Sequence, residues 1–248
     1  MKQNRDAGTS SAAAFLMILA VILVCAGVFA AAVLPAEETR KAERQADAAK
    51  TTLTETVFLM RGAAESTETR DLEFSVLLPK GTLTAESHGY LQIEGRSIPL
   101  CSICLEAGKT TQGISAGGIW RKDGEDFAWI LYPKTAYENG VLIMELFTLS
   151  GNPAYGSTVG IPFSFCSTGY RTQTVSKNPV TLTVISEDSG VRNLWKTFFR
   201  ETGFLYADTI QTKITTKPDR VSAEYSVKTG SLSLEVREAS FTISAGEL

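Results

Sequence analysis

The dominant pattern along the chain is an unbroken apolar run over residues 12–34, which contains no charged residue and ends directly before Pro35. A helix of this length rises about 34 Å, enough to cross the roughly 30 Å hydrocarbon core of a bilayer. We therefore predict a transmembrane helix over residues 12–34, preceded by a leader or short cytoplasmic tail over residues 1–11. The alternative is a cleaved secretory signal, although the apolar core of such a signal is usually shorter, about 7–15 residues.

Helical periodicity continues beyond this run, over residues 35–65. Apolar side chains recur there at spacings of three and four, which places them on one face of a helix: Ala42, Ala46, Ala49, Leu53, Val57 and Met60. Acidic and basic residues fill the positions between them, as on a solvated helix surface. We predict a helical stalk whose apolar face packs either on the chain's own domain or against copies of itself.

From residue 70 onwards the apolar residues mostly alternate with polar ones, and short runs are separated by turn-forming residues, which predicts β-strands. One segment differs. Ser189 is predicted to cap a helix that places Val191, Leu194, Trp195, Phe198 and Phe199 on one face. The predicted fold class is mainly β (α+β): a long N-terminal transmembrane and stalk helix, then a β-rich, sandwich-like domain over residues 70–248 with one short packed amphipathic helix.

The net charge and the apolar run indicate which partners and which location to expect. The 248 residues carry a net charge of −3, which provides no basic footprint for nucleic acid. The expected partners are membrane lipid, through residues 12–34, and copies of the chain. A short tail directly before a membrane-length segment resembles an export signal, so we expect a single-pass cell-membrane protein with the bulk of the chain extracellular.

The four cysteines suggest a disulfide rather than a metal centre. Cys25 lies inside the apolar run, which leaves Cys101, Cys104 and Cys166 as candidates for one disulfide in an oxidising exterior. Cys101 and Cys104 form a single CxxC pair. A zinc site would require a second such pair or nearby histidines, and the chain has one histidine, His88. We therefore predict no metal site and no cofactor.

The sequence indicates no enzyme. One histidine without a Gly-x-Ser-x-Gly elbow argues against a hydrolase triad. Phosphate-binding and dinucleotide-binding glycine motifs are also missing from the sequence. We predict no catalytic residues.

Several short motifs carry a resemblance to a known group of proteins. The segment at residues 5–10, Arg-Asp-Ala-Gly-Thr-Ser, leads directly into the apolar run, and residues 78–83, 117–121 and 190–199 contain the other motifs. Together they resemble an uncharacterised family of archaeal type IV pilin-like surface proteins. The resemblance implies a class III signal, cut between Gly8 and Thr9. It also implies that the helix is retained and packs in a filament core with copies of itself or with other pilin-like subunits.

Three hypotheses for function stay open. The first is a non-enzymatic pilin-like or pseudopilin surface protein, a filament subunit or an adhesion and display module. The second is a monomeric extracellular binding protein held by an uncleaved signal-anchor. The third is a membrane-anchored protein that faces the cytoplasm and keeps Cys101, Cys104 and Cys166 reduced.

Overall fold

The computed structural model describes residues 5–65, 73–79, 81–107, 110–151, 155–157 and 161–245. Two helices, α1 (Arg5–Glu65) and α2 (Ser189–Leu205), accompany fourteen strands in this part of the chain. The strands are β1 (Glu73–Leu78), β2 (Gly81–Ile93), β3 (Arg96–Ala107), β4 (Thr110–Ser115), β5 (Gly118–Asp123), β6 (Asp126–Leu131), β7 (Thr135–Glu138), β8 (Val141–Ser150), β9 (Tyr155–Ser157), β10 (Ile161–Lys177), β11 (Val180–Ile185), β12 (Ile210–Lys217), β13 (Arg220–Val227) and β14 (Leu232–Ala245).

The chain divides into two compact units, residues 1–44 and residues 45–248. In the first unit, the described residues are helical, and side chains 15–29 are exposed. The second unit contains the rest of α1, all the strands and α2.

The structure requires a correction of the predicted transmembrane helix. Neither helix in the described part of the chain has the length and apolar character needed to cross a membrane. The predictions of a transmembrane fold class, a transmembrane pilin-like type and a single-pass cell-membrane location are therefore wrong.

Residues 45–65 of α1 bury the apolar face that the sequence predicts. Leu53, Val57 and Met60 are almost fully buried. They join a core with Leu83 of β2 and Phe163 of β10. Of the two interpretations of this face, packing on the chain's own domain is correct.

The strands form two sheets. The five-stranded sheet has the order β1-β10-β14-β8-β7, and the larger sheet has the order β12-β13-β11-β2-β3-β4-β5-β6, with β9 also paired to β2. Most pairs are antiparallel, and β14 pairs with β8 in parallel. Strands β11 and β13 alternate between buried and half-buried positions, because successive side chains of a strand point to opposite faces.

Helix α2 covers part of the larger sheet with the apolar face predicted for it. Val191, Leu194, Trp195, Phe198 and Phe199 are buried. The cap is Asp188, one residue before the predicted cap Ser189, and its carboxylate accepts hydrogen bonds from the backbone N–H groups of Gly190 and Val191. Trp129 of β6 donates from Nε1 to the carbonyl oxygen of Leu194 at 2.8 Å, which fixes the helix to the sheet edge.

Candidate functional site

Three side chains that can bind a metal converge on strands β2 and β3. They are Glu86, His88 and Cys104, and their ligand atoms all lie within 4.8 Å of one another. The Nε2 of His88 lies 3.8 Å from a carboxylate oxygen of Glu86. Cys104 is fully buried, the His88 side chain is 10% exposed, and the Glu86 side chain is 48% exposed. The group therefore has two buried donors and one that reaches solvent.

An irregularity in β2 positions His88. The pairing of β2 with β3 shifts register between Ser87 and Tyr90. Gly89 adopts φ +104° there, and a Cβ at this position would overlap the carbonyl oxygen of Ile185 on β11. Only glycine allows the strand to bend this closely along its neighbour.

Aromatic rings hold the imidazole in place. The rings of His88 and Trp120 make an edge-on contact with centroids 5.6 Å apart, and Trp120 also packs on Phe127 at 5.2 Å. The indole Nε1 of Trp120 donates to Ser102 Oγ at 3.2 Å, a buried hydrogen bond that fixes the ring. Gly113 lies against this indole and has no room for a Cβ.

Burial favours the neutral forms of both His88 and Cys104. Loss of solvent lowers the pKa of His88, and the nearby carboxylates of Glu86 and Asp188 oppose this only in part. Burial also raises the pKa of the Cys104 thiol, and Glu86 raises it further through its charge and a hydrogen bond from the thiol. Without a bound cation, the site thus contains a neutral imidazole and a protonated thiol.

The group borders an open cleft of about 640 Å³. Its lining includes Glu86, His88 and Gly89, together with Phe127 and the cap residue Asp188. Lys122 also lines the cleft, with its ammonium 4.9 Å from the Phe127 ring centroid. A small ion or molecule can therefore reach the exposed side of Glu86 from solvent.

The residues predicted to form a disulfide do not meet in the structure. Cys25, Cys101, Cys104 and Cys166 all have free thiols. Cys101 and Cys104 are three positions apart on β3, so their side chains point to opposite faces. Cys101 packs beside the core formed with α1, whereas Cys104 packs with Trp120 and Leu194. The predicted cleavage residues Gly8 and Thr9 lie within α1.

The prediction of no metal site considered Cys104 and His88 separately and did not foresee that their side chains lie close together in the fold. Glu86 and His88 are two residues apart, a spacing that favours one face of a strand. Thr84 pairs with Cys104 across the β2–β3 ladder, which brings Cys104 near that face. The Glu-x-His spacing was the one sequence signal for this group. The register of β2 with β3, which adds Cys104, cannot be predicted from residue spacing.

A second feature is the exposed apolar surface of α1 within the first unit, which we call the apolar segment (residues 15–29). Its eleven large apolar side chains are 42–71% exposed. They are Phe15, Leu16, Met17, Ile18, Leu19, Val21, Ile22, Leu23, Val24, Val28 and Phe29. They surround the helix on all sides, without a charged residue among them.

No protein-family model matches the chain, and no curated protein or solved structure matches it either. The resemblance to archaeal pilin-like proteins therefore stays a prediction from short sequence motifs.

Proposed function

We propose that this protein is a non-enzymatic assembly subunit, in which the apolar segment packs against the same segment of other copies and the β-rich domain acts as a binding or display module. The observation that carries the proposal is the exposure of eleven large apolar side chains in one helical stretch.

The size of this surface favours a partner. With large side chains about 60% exposed, the apolar area is on the order of 1,000 Å², above the roughly 300–600 Å² of the largest patch on a typical monomer. A helix that is apolar on all sides is normally a buried helix. Water is therefore an unfavourable environment for residues 15–29.

The segment suits a second copy of itself. Ala20 and Gly27 are seven residues apart and so lie on one helix face, where small side chains allow close approach of another helix. A Cβ at Gly27 would meet nothing within 4 Å, so this face is open. Because the segment carries no charge, several registers of pairing bury apolar area without isolating an ion.

The following turns of α1 do not oppose such pairing. Residues 37–44 contain three acidic and three basic side chains, all exposed: Glu37, Glu38, Arg40, Lys41, Glu43 and Arg44. Their charges cancel, so neighbouring copies meet without net repulsion, and opposite charges can pair between helices.

Sedimentation velocity of the full chain in buffer without detergent tests this proposal. We expect a discrete oligomer or a filament distribution, and we expect the double variant Leu19→Glu/Ile22→Glu to sediment as a monomer, because the two charges lie on one helix face. The matched control is Phe204→Glu, which changes an apolar side chain that is 80% exposed on α2. This control should assemble like the natural sequence.

Two outcomes would overturn the proposal. One is a natural chain that sediments as a folded monomer across a wide range of concentrations. The other is an oligomer that the double variant leaves intact while Phe204→Glu dissociates it, which would move the interface to the β-rich domain. Circular dichroism of each variant separates loss of assembly from loss of the fold.

A further inference from the structure

The donor set of Glu86, His88 and Cys104 has a definite chemical preference. A thiolate, an imidazole and a carboxylate are the ligands of zinc and related transition metals, whereas calcium and magnesium prefer oxygen donors alone. Three protein ligands leave one tetrahedral position for water or another small ligand. Here the cleft of about 640 Å³ gives that position access to solvent.

The buried imidazole supplies an independent indication of a ligand. Nε2 of His88 is shielded from solvent and has no hydrogen-bond partner among the described residues. An unpaired buried polar atom costs free energy, commonly about 1–3 kcal/mol, so such an atom usually has a partner. This nitrogen is also the His88 atom that lies 3.8 Å from the Glu86 carboxylate.

The geometry requires a small closure to bind an ion. Ligand atoms around a tetrahedral zinc ion lie about 3.4 Å apart, given metal–ligand distances of about 2.0–2.3 Å. In the structure the three ligand atoms lie within 4.8 Å of one another, so the widest separation in the group has to close by up to about 1.4 Å. The Glu86 carboxylate lies 3.8 Å from Nε2 of His88, and its half-exposed side chain can rotate to close its own distances to the other two ligands. The distance between His88 and Cys104 has to close through movement of those two packed side chains.

The charges around the site favour a cation. Glu86 and Asp188 act on His88, and Glu86 and Glu106 act on Cys104. Lys122 is the positive charge that acts on both His88 and Cys104. The carboxylates therefore outnumber the nearby ammonium.

We propose that Glu86, His88 and Cys104 bind one zinc-class divalent ion, with the fourth position open to the cleft. On binding, the Cys104 S–H bond breaks, the sulfur keeps the electron pair as a metal–thiolate bond, and the proton leaves to solvent. His88 binds through the neutral Nε2. One proton is thus released for each ion bound, with no change in oxidation state.

Titration of the reduced full chain with Co²⁺ tests the site, because a cobalt–thiolate bond has a near-ultraviolet charge-transfer band that other ligands lack. We expect one Co²⁺ for each chain, the thiolate band, and displacement of Co²⁺ by Zn²⁺. Cys104→Ser should remove the band. Cys101→Ser is the matched control, because it lies on the same strand with its side chain on the other face, and it should retain the band.

The other two ligands are tested through affinity. Glu86→Gln alters a half-exposed side chain. We therefore expect it to fold normally and to weaken Zn²⁺ binding by about tenfold or more. His88→Phe retains a ring beside Trp120 and should weaken binding similarly, with circular dichroism as the check on folding.

A natural chain without stoichiometric Co²⁺ binding would overturn the site. So would a thiolate band that survives Cys104→Ser and disappears in Cys101→Ser, or an unchanged affinity in folded Glu86→Gln. This site lies within residues 45–248 and does not depend on assembly through the apolar segment.

Discussion

Gln112 on β4 donates a hydrogen bond from Nε2 to the carbonyl oxygen of Ala46 in α1, with a donor–acceptor distance of 2.7 Å. Gln112 is 1% exposed and Ala46 is 4% exposed, so the bond is shielded from water. It ties the helix backbone to the sheet at the point where the buried face of α1 begins. Near the other end of that face, Arg61 donates to the carbonyl oxygens of Gly117 and Tyr132 at 3.0 Å each.

We expect Gln112→Ala to lower the free energy of unfolding by about 1–3 kcal/mol. The substitution removes a buried hydrogen bond and leaves space beside the helix. Urea denaturation followed by circular dichroism measures the change. Thr111→Ala on the same strand is the control and should cost less than about 1 kcal/mol, because the Thr111 side chain is only partly buried. Equal costs for the two variants would mean that the Gln112 bond adds nothing.

Two leucines of α1 test whether this helix is part of the domain core. Leu53 is 1% exposed, whereas Leu59 is 51% exposed. We expect Leu53→Ala to cost about 2–5 kcal/mol in unfolding free energy and Leu59→Ala to cost less than about 1 kcal/mol. The same denaturation experiment compares them. A small effect of Leu53→Ala would contradict the packing of α1 on its own domain.

The bend in β2 depends on Gly89, and a second glycine provides the comparison. Gly89 and Gly95 both have positive φ, but a Cβ would meet the backbone of Ile185 at Gly89 and open space at Gly95. We expect Gly95→Ala to cost about 1–2 kcal/mol from backbone strain alone. Gly89→Ala should cost at least about 1 kcal/mol more, because the chain must also move. Thermal unfolding of both variants checks the order, and the reverse order would contradict the close approach of β2 and β11.

The buried phenol of Tyr225 predicts a loss of stability at alkaline pH. Its side chain is fully buried and donates to the carbonyl oxygen of Phe199 at 3.3 Å. Burial raises its pKa above the ordinary value of about 10, and a hydrogen bond with Thr202 offsets this only in part. The pKa of Tyr225 is higher in the folded chain than in the unfolded chain. Its contribution to the free energy of unfolding is therefore fully present below about pH 10 and is lost as the pH rises further.

The expected slope from this one group is up to about 1.4 kcal/mol of unfolding free energy for each pH unit above about pH 10. Tyr225→Phe should lower stability modestly at pH 7, by about 0.5–1.5 kcal/mol, because the hydrogen bond is lost. Its stability should then fall less steeply than that of the natural chain in urea denaturation between pH 9 and pH 11. Parallel pH profiles would show that Tyr225 does not titrate as proposed.

Local patterns in the sequence predicted the packed faces of the helices. The spacing of Leu53, Val57 and Met60 indicated a buried face of α1, and the spacing of Trp195 and Phe198 indicated that of α2. These predictions succeed because a helix face depends on residues three and four apart. The parallel pairing of β14 with β8 was not predictable in this way, since it joins strands about ninety residues apart.

The candidate metal site was likewise not predictable from local spacing, because one of its three side chains lies on another strand. Glu86 and His88 are neighbours on β2, but Cys104 reaches them only through the register of β2 with β3. That register shifts between Ser87 and Tyr90, and a shift of one residue would turn a side chain to the other face. The CxxC spacing drew attention to Cys101 instead, whose side chain lies on the opposite face of β3.

Cross-linking through Cys25 measures the proposed assembly most directly. Cys25 is an exposed free thiol within the apolar segment. In a Cys101→Ala/Cys166→Ala background, where Cys104 stays buried, a short bis-maleimide should join Cys25 between copies at low protein concentration. We expect covalent dimers that disappear in the added variants Cys25→Ser and Leu19→Glu/Ile22→Glu. Monomers alone, or dimers that persist in Leu19→Glu/Ile22→Glu, would contradict assembly through residues 15–29.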